Sequence, residues 1–118
     1  MPKHATGSFE VKVNPQTDSG FDDPKLSRVL IEKQFHGDLE GASKVQMLGA
    51  NTDVKGSAGY VAIEKVTGKL NSHSGTFVLQ HSGTMDRGQL QLSVTVVPGS
   101  GTGELAGIAG KARQLFEG

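Results

Sequence analysis

From residue 8 to residue 97 the chain alternates apolar and polar side chains over one short stretch after another, the period-two pattern of strands with one covered face. In residues 8–14, Phe9, Val11 and Val13 alternate with Ser8, Glu10 and Lys12. Residues 26–35 set Val29, Ile31 and Phe35 against Glu32 and Gln34. Residues 39–48 alternate less cleanly around Val45 and Met47, because Gly41 and two small neighbours dilute the signal. In residues 59–66, Tyr60, Ala62 and Glu64 oppose Val61, Ile63 and Lys65. Residues 76–81 place Phe77 and Leu79 opposite Val78 and Gln80. The cleanest stretch is 89–97, with Leu90, Leu92, Val94 and Val96 on one side and Gln91, Ser93 and Thr95 on the other.

Turn chemistry punctuates these stretches: a loop over 15–25 with Pro15 and Pro24, Gly37-Asp38, the polar run 51–57, a short connection at 67–69, and a turn over 82–88. With a short segment at 70–72, this predicts about seven strands at roughly ten-residue spacing, the signature of an all-β sandwich or barrel. The tail reads two ways. Leu105, Ile108, Ala112 and Leu115 approach helical spacing, while Gly107 and Gly110 oppose a helix by about 1 kcal/mol each relative to alanine.

Length and composition narrow this picture. The 118 residues make one domain, spanning 1–118, with one modest core. Twelve basic and twelve acidic residues are dispersed, so the basic stripe of a nucleic-acid binder is missing and no nucleic-acid partner is expected. Zero net charge gives little protection against self-association and predicts a homo-oligomer. The absence of cysteine excludes disulfides, thiolate nucleophiles and thiolate metal sites. No apolar run has the length of a membrane span and no leader-like segment precedes the first strand, so a cytoplasmic address and no membrane partner are expected. Seventeen dispersed glycines suit the tight turns and bulges of an all-β fold.

Two glycine-rich strings resemble nucleotide-binding motifs and fail on context. Gly101 to Ala106, GTGELA, matches a dinucleotide fingerprint, yet the strands before it are antiparallel in character and no second βα unit follows. Gly107 to Ala112 lacks both the first glycine of a phosphate loop, whose place is Leu105, and the magnesium-binding hydroxyl, whose place is Ala112. No cofactor is expected. His36, His73 and His81 fall at or near strand ends, but their spacings put no two on one face of one element, so no metal is assigned; a three-histidine site requires their convergence in the fold.

The candidate ligand-binding residues are Tyr60, Glu64, Phe77, Leu79, Gln80 and His81. Tyr60 and Glu64 share a face by period two, as His81 does with Phe77 and Leu79. A carboxylate and an imidazole in an apolar cavity can exchange protons with a ligand. The competing arrangement puts Glu64 in solvent, with Val61 and Ile63 facing inward.

Several strings together carry a family resemblance: TGSFEVK (Thr6 to Lys12), FHGDLEGASKVQML (Phe35 to Leu48), GSAGYVAIEKVTGKL (Gly56 to Leu70), GTFVLQHSGTM (Gly75 to Met85) and LSVTVVPGSGTGELAGIAG (Leu92 to Gly110). In order and over nearly the whole chain, they resemble a bacterial domain-of-unknown-function family with an allene oxide cyclase-like fold. That resemblance implies a small, mostly antiparallel eight-stranded barrel with an apolar interior. The wider superfamily includes allene oxide cyclases, dirigent proteins and spirotetronate-type cyclases, which hold a reactive hydrophobic substrate in a folded shape. It carries over no catalytic residue. Two departures stand out: KARQLFEG (Lys111 to Gly118) replaces a closing hairpin rich in histidine, tyrosine and phenylalanine, and Ser72-His73 stands where the family pattern has glycine and arginine.

The expectation is therefore a barrel that binds an apolar small molecule and acts as a cofactor-free isomerase or cyclase by substrate confinement. It requires an apolar cavity of several hundred Å3. The alternative is a non-catalytic oligomeric interaction module, which requires a filled interior and exposed strand edges.

Overall fold

The computed structural model describes residues 7–107. Six strands follow one another: β1 (Gly7–Pro15), β2 (Leu26–Gly37), β3 (Leu39–Asn51), β4 (Ala58–Leu70), β5 (His73–Asp86) and β6 (Gln89–Val96). A 3-10 turn, η1 (Gly103–Leu105), ends the described chain. The strands form one antiparallel sheet in sequence order, an up-and-down meander. The protein is all-β as the alternation predicts. Among the described residues β1 and β6 remain unpaired on their outer sides, so this sheet is open where a closed barrel was expected. Among the same residues no helix is long and apolar enough to cross a membrane.

Among the described residues, six long strands stand where seven short ones were expected. Thr67, Gly68 and Lys69 do not connect two strands but lie inside β4. The region 82–88 is mostly strand as well, since β5 runs to Asp86. The actual turns are tighter. Asn71-Ser72 joins β4 to β5 with φ of 48° and 74°, and Arg87-Gly88 joins β5 to β6 with φ of 48° and 91°. Such pairs of left-handed residues match the twist of two-residue hairpins.

Glycines misread as breakers are creases. Gly41, Gly68 and Gly75 occupy directly paired positions on three neighbouring strands, beginning opposite Phe35. A Cβ on Gly68 would stand 2.2 Å from the Glu40 carbonyl oxygen, and one on Gly41 equally close to that of Thr67. The backbones approach here as only glycine permits, which lets the sheet bend sharply over its own face.

That bend explains how one layer acquires a core. A single sheet has no second layer to cover it, yet Phe35, Leu39, Val66, Leu70, Phe77, Leu79, Val94 and Val96 from five strands form one buried cluster. Leu105 of η1 joins them, seated by reciprocal bonds between Thr76 and Thr102: the Thr102 N–H donates to the Thr76 carbonyl (2.8 Å) and the Thr76 N–H to Thr102 Oγ1 (3.1 Å). The GTGELA string is therefore a plug, with its leucine in the core. The predicted tail segment lies beyond residue 107 for most of its length, outside the described residues.

Candidate functional site

Directly paired residues of antiparallel strands project to the same face, so the register reads out the buried face row by row. One row runs Val13, Ile31, Val45, Glu64, Leu79 and Val96; the next runs Val29, Met47, Ala62, His81 and Val94. Glu64 thus occupies the middle of an apolar row and is 1% exposed, while Val61 and Ile63 are 54% and 50% exposed. The arrangement with Glu64 in solvent is reversed in the structure.

Four polar side chains cross this face on a diagonal over four consecutive strands: Lys33 of β2, Ser43 of β3, Glu64 of β4 and His81 of β5. The Ser43 hydroxyl donates to Glu64 Oε2 at 2.5 Å, His81 Nε2 lies 2.8 Å from Oε1, and Lys33 Nζ reaches the same Oε1 at 3.3 Å. The aliphatic stem of Lys33 spans the width of β3 to do so, with its ammonium 5.6 Å from the centre of the Phe9 ring.

Burial works against the Glu64 charge, but the hydrogen bond from His81, the Lys33 ammonium and the Ser43 hydroxyl outweigh it, and the carboxyl is held below its ordinary value. Glu64 is therefore a carboxylate at neutral pH and can only accept hydrogen bonds. The neutral His81 ring must then carry its proton on Nε2 and present the Nδ1 lone pair as a base. His81 keeps 16% of its side chain exposed, against 1% for Glu64. The carboxylate is sealed and the imidazole is the more accessible of the two.

Tyr60 lies one row beyond His81, between Gly49 and Gly83 on the neighbouring strands. Its ring covers Gly83 so closely that a Cβ there would stand 2.5 Å from Cε1. The diagonal separation from His81 is roughly 7 to 8 Å between backbones, within reach of an aromatic side chain. Burial pushes the Tyr60 hydroxyl pKa up.

The face has a closed half and an open half. Phe35, Leu39, Leu70, Phe77 and Leu105 seal one end, while Tyr60, Met47, Met85 and Leu92 at the other remain partly or well exposed. The Glu64–His81 pair marks the boundary.

The other candidates separate. Phe77 and Leu79 are fully buried in the closed half, and Gln80 projects from the opposite face, exposed, rather than toward Glu64. His36 sits 3.9 Å from both Glu10 and Glu40, and His73 sits 3.8 Å from Glu104, all on the surface. The three-histidine convergence is not formed: among the described residues no three metal-ligating side chains come together. Three surface depressions of about 650, 740 and 670 Å3 lie mainly against the opposite face, and Glu64 lines none of them. Lys33 and Ser43 escaped the sequence reading, although both stand in the apolar phase of their strands, Lys33 with Ile31 and Phe35, Ser43 with Val45.

Comparison with known proteins adds a family. No curated protein matches the chain. A crystal structure of a protein of unknown function from Shewanella oneidensis MR-1, of the DUF3224 family, is 48% identical, covers 92% of this chain and 84% of its own, and superposes with a TM-score of 0.82. The family model described as protein of unknown function (DUF3224) matches residues 5–118. Matched over nearly its whole length, the chain belongs to the DUF3224 family.

Proposed function

We propose that the chain binds an apolar small molecule against the open half of its buried face and shifts a proton on it, as a cofactor-free isomerase or cyclase in an allene oxide cyclase-like fold. The observation that carries this reading is the 2.8 Å bond between His81 and a carboxylate that is 1% exposed. A buried ionised group costs several kcal/mol of solvation, and an apolar row has no structural need for one. What the arrangement supplies is an oriented imidazole base beside apolar surface.

The reaction class follows from the groups. His81 Nδ1 takes a proton from a carbon next to a carbonyl, the electron pair shifts along the conjugated system, and the imidazolium, after exchanging that proton with solvent, delivers one at a different carbon. Glu64 stabilises the imidazolium, and nothing else is consumed or released. Confinement of the substrate against Met47, Tyr60 and Leu92 would supply the ordering that a ring closure needs.

The experiment incubates the protein in D2O with a panel of β,γ-unsaturated ketones and polyenoic carbonyl compounds. Binding is followed by the fluorescence of Tyr60, the chain's one tyrosine in the absence of tryptophan. One deuterium should enter each isomerised product, and His81→Gln should slow this by about a hundredfold or more. Binding without deuterium transfer, or transfer indifferent to His81→Gln, overturns the catalytic reading.

One observation favours the interaction-module reading instead: Phe9, Val11 and Val13 on the edge strand β1 are each about half exposed among the described residues. Concentration-dependent sedimentation that Val11→Lys abolishes would support it.

A further inference from the structure

We propose that the face opposite Glu64 holds a separate site for a medium-chain carboxylate, its head on Lys44 and Lys65 and its tail over Ile63, Val61 and Leu48. The site lies on the sheet face opposite the reaction proposed above, although Met47 and His81 also border its depression.

Lys44 and Lys65 are direct partners across β3 and β4. Like charges in that position repel and destabilise a sheet unless an anion bridges them. Neither belongs to any ion pair among the described residues. Glu32, the opposite neighbour of Lys44 on β2, is no bonded partner of either.

The surface next to the lysines is apolar without being covered. In the following rows Ile63 pairs with Gln46, and Val61 with Leu48. Ile63, Val61 and Leu48 are 50%, 54% and 40% exposed. The step from Lys65 to Val61 is four residues along β4, or about 13 Å, the scale of an extended medium-length acyl chain. The surface is also concave. A depression of about 670 Å3 is lined by Lys44, Lys65, Ile63, Val61, Leu48 and Arg28 among others. That volume is within the range of small-molecule sites. A cationic head, an apolar floor and a hollow select a free anionic amphiphile over a flat protein partner.

The test is calorimetric titration of the full chain with sodium dodecanoate below its micelle concentration. Saturable binding is expected, weakened about tenfold or more by Lys44→Gln/Lys65→Gln and by Ile63→Ser, and unchanged by Lys55→Gln on the 52–57 loop. Dodecanol, with the same tail and no charge, should bind at least about tenfold more weakly. These substitutions are on the surface, and far-UV circular dichroism checks that the fold persists. Equal affinity of the double lysine variant, or no binding of dodecanoate, overturns the proposal. Capture by phosphatidylglycerol vesicles without dodecanoate binding would assign the face to a membrane surface. Self-association broken by Ile63→Glu, again without dodecanoate binding, would assign it to a second copy. Either result also overturns the proposal.

Discussion

Replacing Glu64 by glutamine tests whether the buried charge is favourable where it stands. At 3.3 Å from Lys33 Nζ, a carboxylate gains about 5 kcal/mol at an effective dielectric of about 20. Desolvation, the largest single influence on this group, removes much of that gain, and the hydrogen bonds from His81 and Ser43 restore part. Because the Glu64 pKa is lowered, the balance favours the charge. Glutamine keeps the volume and one acceptor, but it leaves an ammonium with 20% side-chain exposure unpaired. Breaking a buried pair costs about 3 to 5 kcal/mol, and the lysine stem can partly withdraw toward solvent, so the expected loss at pH 7 is about 2 to 4 kcal/mol. The sign with pH follows from the lowered value. The contribution of Glu64 is fully present above the ordinary carboxylate pKa of 4.5 and is lost as pH falls through the lower folded value. Urea denaturation followed by far-UV circular dichroism at a series of pH values should therefore show the gap between wild type and Glu64→Gln narrowing below pH 4.5. A variant as stable as wild type at pH 7, or a gap that widens in acid, would refute the reasoning.

Spectrophotometric titration of the chain's one tyrosine should show Tyr60 ionising above its ordinary value of 10.0. The associated stability is present below pH 10.0 and declines as pH rises through the folded value; a midpoint at or below 10.0 contradicts the buried placement. Gly68→Ala sets a Cβ against the Glu40 carbonyl oxygen at the crease, where no flexible side chain can yield. It should destabilise by about 3 kcal/mol or more, and a thermal melt showing a loss under about 1 kcal/mol would remove the crease from the explanation of the bend. Lys33→Met/Glu64→Leu replaces both ends of the ion pair by apolar groups of similar size and should cost less than Glu64→Gln alone, by chemical denaturation. A larger cost would show that the pair is required for folding.

The alternation located all six strands, because one-sided burial leaves a period-two trace wherever side chains are large. Where they are small, the trace failed. Sequence alone assigns Gly68 and Gly83 to turns, yet Gly68 sits at a crease and Gly83 lies under the Tyr60 ring. A lone glycine in a strand has the same appearance in sequence whether it ends the strand or lets another backbone approach. Tyr60, Glu64 and His81 were visible as polar residues near apolar phases, but the depth of Glu64 was not, since in alternation it fits either face equally well. Lys33 was hidden by its length: only the fold shows its ammonium crossing β3 to a carboxylate 31 residues away. Gln80 was placed with the site although it alternates in phase with Val78, and the structure follows the phase.

The position of the polar diagonal supports the proposed site over a purely structural ion pair. In the sealed half, among Phe35, Leu70 and Leu105, a Glu–His pair would reach no ligand and would only fix register. At the far rim, beside the exposed Leu90, both groups would be solvated and their coupling would be weak. On the boundary, Glu64 is almost wholly shielded from water, while the His81 side chain stays 16% exposed. The Tyr60 ring, laid flat on Gly83, extends the open half as an apolar floor with one hydroxyl. The base proposed here and the carboxylate that would orient it call for that division of exposure: the first meets substrate, and the second is kept from water.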